Sequence, residues 1–177
     1  VAARAGNMAA RRNHHPKPLK AITFRPIGTV HTPFKSADGM PVQASRSENA
    51  PGTVVIAEDY AEGLEDLDGF SHVVLVCHLH LTRPYKLKVI PFLDDVPRGL
   101  FATRAPSRPN PIAVSVVALE KIEDNTLHIR GVDLIDGTPL LDIKPYIDEF
   151  DEPVATRFGW LEEARKRKRL SDERFKL

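Results

Sequence analysis

The sequence predicts a mainly β protein: a single-sheeted antiparallel or mixed β-barrel with a few short helices and a C-terminal helix. Three observations favour this fold class. Short apolar runs alternate with turn residues from about residue 21, no long helical crossover separates the last three predicted strands, and no glycine fingerprint of a dinucleotide fold or P-loop occurs. The length of 177 residues suits one domain with tails. A parallel doubly wound sheet is therefore not expected.

The strands are predicted from short runs rich in β-branched and aromatic residues that end at turn residues. They cover residues 24–30, 53–57, 70–81, 112–122, 126–134 and 140–143. The polar residues 123–125 are predicted to close a hairpin, and residues 136–139 form a second turn. Residues 59–68 carry apolar side chains at helical spacing, and residues 160–170 pair acids with bases four positions apart, so both are predicted helices.

The run over residues 70–81 is the strongest predicted strand because its two faces differ. One face is aliphatic around Cys77, which we interpret as an inert core residue, and the other carries His72, His78 and His80. His78 and His80 lie two positions apart, a spacing that could bind a metal such as zinc, although no third ligand is evident nearby. Hydrogen-bonded histidines of the barrel interior or of a pocket wall are the preferred interpretation.

Charge is distributed unevenly along the chain. Residues 21–160 carry 13 Arg/Lys and 20 Asp/Glu, a net charge of −7, whereas residues 1–20 and 161–177 carry net charges of +5 and +3. We therefore predict a flexible basic arm over residues 1–20, the barrel over residues 21–160 and a basic helix or tail over residues 161–177. Basic ends indicate an anionic partner, or they only keep the chain soluble.

Apolar runs are short throughout, and the chain has one cysteine. No stretch approaches the roughly 18 apolar residues of a membrane span. A single cysteine excludes an intrachain disulfide and suits a reducing compartment. We therefore expect a cytoplasmic protein without a membrane segment.

Residues 99–112 form the most unusual segment, with three prolines within six residues. Proline restricts its own backbone and that of the preceding residue, so this loop loses little entropy when a ligand binds. Arg104 and Arg108 supply planar donors for a carboxylate or phosphate, and Ser107 and Asn110 add neutral hydrogen-bonding groups. A rigid surface connection with solvated arginines, or a proline-rich ligand for another module, are the alternatives.

A second dense segment spans residues 133–146. Asp142, Lys144 and Tyr146 alternate along the chain, so a continuing strand places an acid, a base and a phenol on one face. The alternative is a local Asp–Lys pair on a solvated face, which contributes about 0–1 kcal/mol.

Taken together, these segments resemble the TsaA-like domain of the TrmO/YaeB family of S-adenosylmethionine-dependent tRNA N6-adenosine methyltransferases. The resemblance rests on residues 69–80, 103–112 and 136–146, which occur in the family's order within residues 21–160. It implies a single-sheeted barrel, a homodimer, and methylation of N6 of threonylcarbamoyladenosine next to the tRNA anticodon, with S-adenosyl-L-methionine as cofactor and tRNA as partner.

The resemblance also assigns roles to residues. The cofactor pocket would lie between the proline-rich loop and the turn at residues 136–139. Apart from the resemblance, the chemistry of methyl transfer favours Asp142, Lys144 and Tyr146 as catalytic residues, with Asp142 as candidate base, because removing the proton of a weakly nucleophilic acceptor nitrogen would help the reaction. The implied cofactor-binding residues are His78, Phe101, Arg104, Ser107, Arg108, Asn110, Pro111, Ile112, Asp136, Gly137, Thr138 and Leu141.

The chain departs from the family pattern at two places. Ala113 stands where the motif usually continues with glycine, and only residues 161–177 follow the predicted barrel, where a larger domain often follows. Two other functions therefore remain alternatives. One is a non-catalytic S-adenosylmethionine- or RNA-binding module, and the other is a metal-dependent hydrolase that uses His78 and His80.

Overall fold

The computed structural model describes residues 20–36, 50–152 and 154–168. The predicted basic arm lies outside these residues except for Lys20, and so does the end of the predicted C-terminal tail. Eight strands and two α-helices are described. The elements are β1 (Gly28–His31), β2 (Pro51–Ile56), β3 (His72–His78), β4 (Lys88–Val89), β5 (Arg98–Gly99), β6 (Ile112–Glu123), β7 (Thr126–Arg130), β8 (Thr138–Pro145), α1 (Asp148–Asp151) and α2 (Trp160–Lys168).

Six of the strands form a closed barrel in the order β1-β2-β7-β6-β3-β8, in which every neighbouring pair is antiparallel. This confirms the predicted fold class. Strands β4 and β5 form a separate two-stranded sheet. Among the described residues, no helix is long and apolar enough to span a membrane.

The barrel interior is filled by the inward-facing aliphatic side chains of the strands. Val73, Leu75 and Cys77 of β3 are fully buried, which confirms the predicted core position of Cys77. Burial, together with the charge of Asp133, raises the pKa of the Cys77 thiol to about 12, so this thiol stays protonated and unreactive.

His72 and His78 of β3 lie on the outer side of the barrel, so an interior position was the wrong one of the two predicted, whereas a pocket wall is correct for His72, which lines a cavity with Tyr146 and is hydrogen-bonded to Ser71. His72, His78 and His80 are all exposed. The predicted strand is also too long, because β3 ends at His78 and the chain turns at His80. His78 and His80 therefore do not share one strand face, and no group of three potential metal ligands occurs among the described residues.

Other boundaries differ from prediction for local reasons. The predicted helix over residues 59–68 is two 3-10 turns, Glu58–Leu64 and Leu67–Gly69, separated where Asp66 adopts a positive φ of 64°. Strand β7 ends at Arg130 because Gly131 follows with a φ of 84°. The first strand begins at Gly28 rather than at residue 24. Strand β8 is longer than predicted and includes Pro139 and Pro145 near its two ends, where prolines are tolerated in a strand.

Both predicted turns are confirmed. The β6–β7 hairpin closes through residues 124–125, where Asp124 has a φ of 52°. The turn before β8 places Gly137 at a φ of 77°, a conformation that strongly favours glycine. The predicted C-terminal helix is α2, described as far as Lys168.

Candidate active site

One end of the barrel brings the two chemistry-bearing segments together. Strand β3 ends there at His78, which pairs with Ile112 at the start of β6, while the neighbouring Cys77 pairs with Leu140 near the start of β8. The proline-rich loop leads into β6 and the Asp-Gly-Thr-Pro turn leads into β8. These two segments therefore flank the end of β3, as the predicted pocket requires.

Arg108 donates hydrogen bonds to the backbone of its own proline-rich loop. Its Nη1 atom lies 3.0 Å from the carbonyl oxygen of Thr103 and 3.4 Å from those of Leu100 and Ala105. The guanidinium also stacks over the ring of Phe101, with 5.6 Å to the ring centroid. Such bonds to a charged donor are stronger than neutral ones, so this side chain stabilises the loop conformation.

Arg104 is in a different environment although it belongs to the same loop. Its side chain is exposed and has no hydrogen bond or ion pair within the described part of the chain. The side chains of Ser107 and Asn110 likewise make no hydrogen bond there. Within the described part of the chain, the loop thus presents the unpaired guanidinium of Arg104, two neutral polar groups and the exposed ring of Phe101 on a rigid backbone.

Asp136 is held by the segment that follows β1. Its carboxylate accepts hydrogen bonds from Lys35 Nζ at 2.6 Å and from the Thr32 backbone N–H at 3.1 Å, and it lies 3.3 Å from His31 Nδ1. The hydrogen bond from Lys35, followed by that from Thr32, lowers the pKa of Asp136 to about 2. Asp136 is therefore ionised and links β1 to the start of β8.

The sequence analysis did not predict the contact between Asp136 and the residues that follow β1. The signal that could have found it is the polar and basic run His31-Thr32-Pro33-Phe34-Lys35 directly after the first strand. All of these residues except Phe34 border a groove of about 480 Å³ next to β1, β2 and β7, which Asp136 also lines. Of the predicted cofactor-binding residues, Asp136 is the one that reaches this groove.

Gly137 and Thr138 of the turn at residues 136–139 donate hydrogen bonds to backbone carbonyl groups. Gly137 N–H donates to Val30, and the buried Thr138 hydroxyl donates to the Ile135 carbonyl at 2.6 Å. Leu141 lies at a bulge, because Leu140 and Asp142 pair with the adjacent residues Cys77 and Val76 of β3. These residues shape this end of the barrel through the backbone.

The predicted catalytic residues are spread along the outer face of β8. Asp142 and Lys144 point the same way and form an ion pair of 2.6 Å, opposite Val76 and Val74 of β3. At about 3.3 Å per residue, Asp142 lies roughly 7 Å along the sheet from the His78 end, and Lys144 roughly 13 Å. Asp142 is thus the member of the trio nearest to the proline-rich loop.

Tyr146 lies at the opposite end of β3. Its N–H donates to the His72 carbonyl, and the two rings meet edge to face with centroids 6.3 Å apart. Partial burial and the nearby acceptor Glu152 raise the pKa of the Tyr146 hydroxyl. Tyr146 and His72 line a separate cavity of about 350 Å³. Within one chain, the structure does not bring Tyr146 to the proline-rich loop.

Comparison with known proteins places this arrangement in a family. Residues 29–152 match the model of the tRNA-methyltransferase O N-terminal domain, a span that contains both segments that flank β3 and most of the barrel. The chain belongs to this family. The resemblance to S-adenosylmethionine-dependent tRNA methyltransferases of the TrmO type is thereby confirmed at the level of the family.

Individual relatives of this TrmO-type domain differ in length. A probable S-adenosyl-L-methionine-binding protein of Pyrococcus abyssi is 50% identical over 141 residues, which cover 80% of this chain and 77% of that protein. The tRNA (adenine(37)-N6)-methyltransferase of Mus musculus is 39% identical over 139 residues, but the match spans 75% of this chain and only 32% of the mouse protein.

A crystal structure of TrmO from Pseudomonas aeruginosa superposes with a TM-score of 0.68 and 38% identity, covering 80% of this chain and 63% of that one. The TrmO-type chain thus spans about a third of the mouse enzyme and less than two thirds of the Pseudomonas chain.

Proposed function

We propose that this chain binds S-adenosyl-L-methionine and transfers its methyl group to N6 of threonylcarbamoyladenosine next to the anticodon of a tRNA. One observation carries the proposal. The guanidinium of Arg104, which has no partner among the described residues, lies on a preorganised loop beside the end of β3, in a chain that belongs to the TrmO-type family. An exposed, unpaired arginine on a rigid loop is suited to a ligand carboxylate.

The residues at this end of the barrel fit the cofactor. Arg104 would receive the carboxylate of its amino-acid part, and Ser107 and Asn110 would supply neutral hydrogen bonds. Phe101 and Ile112 offer exposed apolar surface to the rest of the molecule. When bound, S-adenosyl-L-methionine supplies an electrophilic methyl group on a sulfonium sulfur.

Methyl transfer is an in-line displacement, and its barrier falls mainly through positioning of the donor and acceptor. The new bond joins the methyl carbon to N6, the carbon–sulfur bond breaks with its electrons on sulfur, and the N6 proton must leave. Asp142 is the candidate acceptor for that proton, because its carboxylate is the nearest of the three predicted groups to the loop. Its carboxylate also forms an ion pair of 2.6 Å with Lys144.

The outer face of the barrel supports the homodimer that the sequence resemblance implies. Alternate residues Ile112, Val114 and Val116 of β6 point outward and are exposed, Val114 to 64%. The outer face of an antiparallel sheet is usually polar, so this apolar stripe suits an interface. A second copy of the chain is the proposed occupant, since one apolar patch is complementary to itself across a two-fold axis.

A non-catalytic S-adenosylmethionine-binding module is the second candidate. The observation that favours it is the length of the relatives. An Archaeoglobus fulgidus protein, 93% of which is matched by this chain, is named an S-adenosyl-L-methionine-binding protein, whereas the mammalian methyltransferases extend well beyond the match. Such a module would keep the Arg104 site without transferring a methyl group.

The decisive experiment is nucleoside mass spectrometry of tRNA that carries unmethylated threonylcarbamoyladenosine. The tRNA is incubated with the protein and methyl-labelled cofactor, and label on the N6 of that nucleoside is expected. Cofactor binding without label on any nucleoside would establish the binding module, and absence of cofactor binding would overturn both proposals.

A further inference from the structure

Trp160, the first residue of α2, contacts the proline-rich loop directly. Its indole Nε1–H donates a hydrogen bond of 2.8 Å to the carbonyl oxygen of Ala102. Ala102 ends the 3-10 turn Leu100–Ala102 and precedes Arg104 by two residues. Trp160 itself lies eight residues beyond the segment that matches the family.

A second contact involves the face of the indole ring. The guanidinium of Arg98 lies 5.6 Å from the centre of the Trp160 ring, a cation–π geometry. Arg98 is oriented by Asp94, whose Oδ2 atom accepts bonds from Arg98 Nε at 3.0 Å and Nη2 at 2.7 Å. The Asp94 side chain is only 2% exposed, so this support is rigid.

The hydrogen bonds to the carbonyl groups of the loop show which contact Trp160 contributes. The oxygen of Leu100 accepts from the Thr103 N–H and hydroxyl, and Arg108 donates to the oxygens of Thr103 and Ala105. The Ala102 oxygen accepts the hydrogen bond from Trp160. The backbone before Arg104 is thus held by Arg108 within the loop and by Trp160 from the C-terminal helix.

We propose that Trp160 is a positioning residue for the cofactor site: by holding the Ala102 carbonyl, it keeps the loop in the conformation that presents Arg104. The identity of the ligand rests on the proposed function, whereas the clamp on the loop does not. A loop released from Trp160 must be ordered when the ligand binds, so affinity falls although no ligand contact is removed.

The test compares wild type with Trp160→Phe, which keeps an aromatic ring over Arg98 and removes the N–H donor. Loss of one neutral hydrogen bond predicts a Kd for S-adenosyl-L-methionine raised by about 3- to 10-fold in calorimetric titration without tRNA. The KM for the cofactor should rise by the same factor, while kcat and the KM for tRNA change little. Phe150→Leu, at an exposed aromatic residue of α1, is the matched control and should leave both KM values unchanged.

Hydrogen exchange gives a readout that needs no ligand. Amides of residues 101–105 should exchange faster in Trp160→Phe, and those of β3 should not. An unchanged cofactor Kd together with unchanged loop exchange would overturn the proposal, as would equal losses in the KM values for cofactor and tRNA. If wild type does not bind the cofactor, the proposed function fails, and the exchange of residues 101–105 still decides whether Trp160 holds the loop.

Discussion

Arg104 and Arg108 share one loop but differ in what their guanidinium groups contact. Sequence composition assigned both as donors to a ligand, whereas Arg108 bonds to three carbonyl oxygens of its own loop and Arg104 has no partner in the described chain. The path of the backbone decides this difference, and a residue pattern does not encode that path. This is why the sequence could predict the loop as a binding element without separating the roles of its arginines.

The first prediction follows from these two environments. Arg104→Ala should weaken binding of S-adenosyl-L-methionine by about 1.5–3 kcal/mol, roughly 10- to 150-fold, because a charge-assisted hydrogen bond is lost. Its melting temperature should match that of wild type. Arg108→Ala should lower the melting temperature as well as the affinity, because the carbonyls of the loop lose their donor. Calorimetric titration and thermal unfolding of both variants decide the matter; a normal affinity in Arg104→Ala would remove this residue from the site.

The second prediction concerns Asp142. Asp142→Asn keeps the shape of the side chain and removes the carboxylate, so cofactor affinity should stay within about 2-fold of wild type while methyl transfer falls by about 10²- to 10⁴-fold, the range of general base catalysis. Single-turnover transfer of labelled methyl to tRNA measures the effect. If binding collapses too, Asp142 is a pocket residue, and full activity would exclude both roles.

At the level of elements, Asp136 joins β1 to β8 through Lys35 and the Thr32 amide. Its pKa is lowered from 3.8 to about 2, so the folded state favours the carboxylate. The stabilisation is fully present above about pH 4 and is lost as the pH falls through about 2. Wild type should therefore melt at a higher temperature than Asp136→Asn at neutral pH, and the two curves should converge as the pH approaches 2.

Asp94 serves as the internal control for that titration. Its pKa is also lowered to about 2, chiefly by the hydrogen bond from Arg98, and it remains in the Asp136→Asn variant. Both proteins should therefore lose stability in acid, with the variant losing less. A constant difference in melting temperature from pH 7 to pH 2 would show that the ionisation of Asp136 does not stabilise the fold.

Most barrel elements were predictable because their side chains alternate with a period of two and their turns carry glycine, aspartate or asparagine. The hairpin at Asp124 and the turn at Gly137 occur where those residues indicated. The sheet of β4 and β5 was not predicted, since two-residue strands carry no periodicity. The predicted ends of β3 and β7 lie beyond the observed ends, because each strand ends at a turn although the apolar pattern of the sequence continues.

For the whole molecule, the apolar stripe on β6 predicts association. Val114→Asp would place an unpaired charge in the proposed interface and should raise the dimer dissociation constant by on the order of 100-fold or more. Val154→Asp is the matched control, because Val154 is 91% exposed and lies outside the barrel strands. Analytical ultracentrifugation of both variants is the measurement. A dimeric Val114→Asp protein, or a monomeric wild type, would contradict the proposed interface.

The last prediction concerns the basic run at residues 165–169. Helix α2 carries its first four residues, and Arg169 lies outside the described part of the chain. The body of the chain has a net charge of −7, so binding of tRNA requires local positive charge. If about three of the five cations contact phosphates, log affinity should fall with log salt at a slope of about −2.

Replacing all five basic residues by glutamine should weaken tRNA binding and flatten its salt dependence while leaving cofactor affinity nearly unchanged. Filter binding across a salt series compares the two proteins. Identical slopes would mean that this run does not contact RNA.

The contact between Trp160 and Ala102 also makes the fluorescence of Trp160 a probe of the docking of the C-terminal helix. Trp160 is the single tryptophan of the chain, so selective excitation yields emission from this position alone. The indole lies beside a guanidinium and donates to a backbone carbonyl next to the proposed cofactor loop. Its emission is therefore a label-free optical signal of whether the C-terminal helix is docked, and it can be followed in real time as cofactor or tRNA is added.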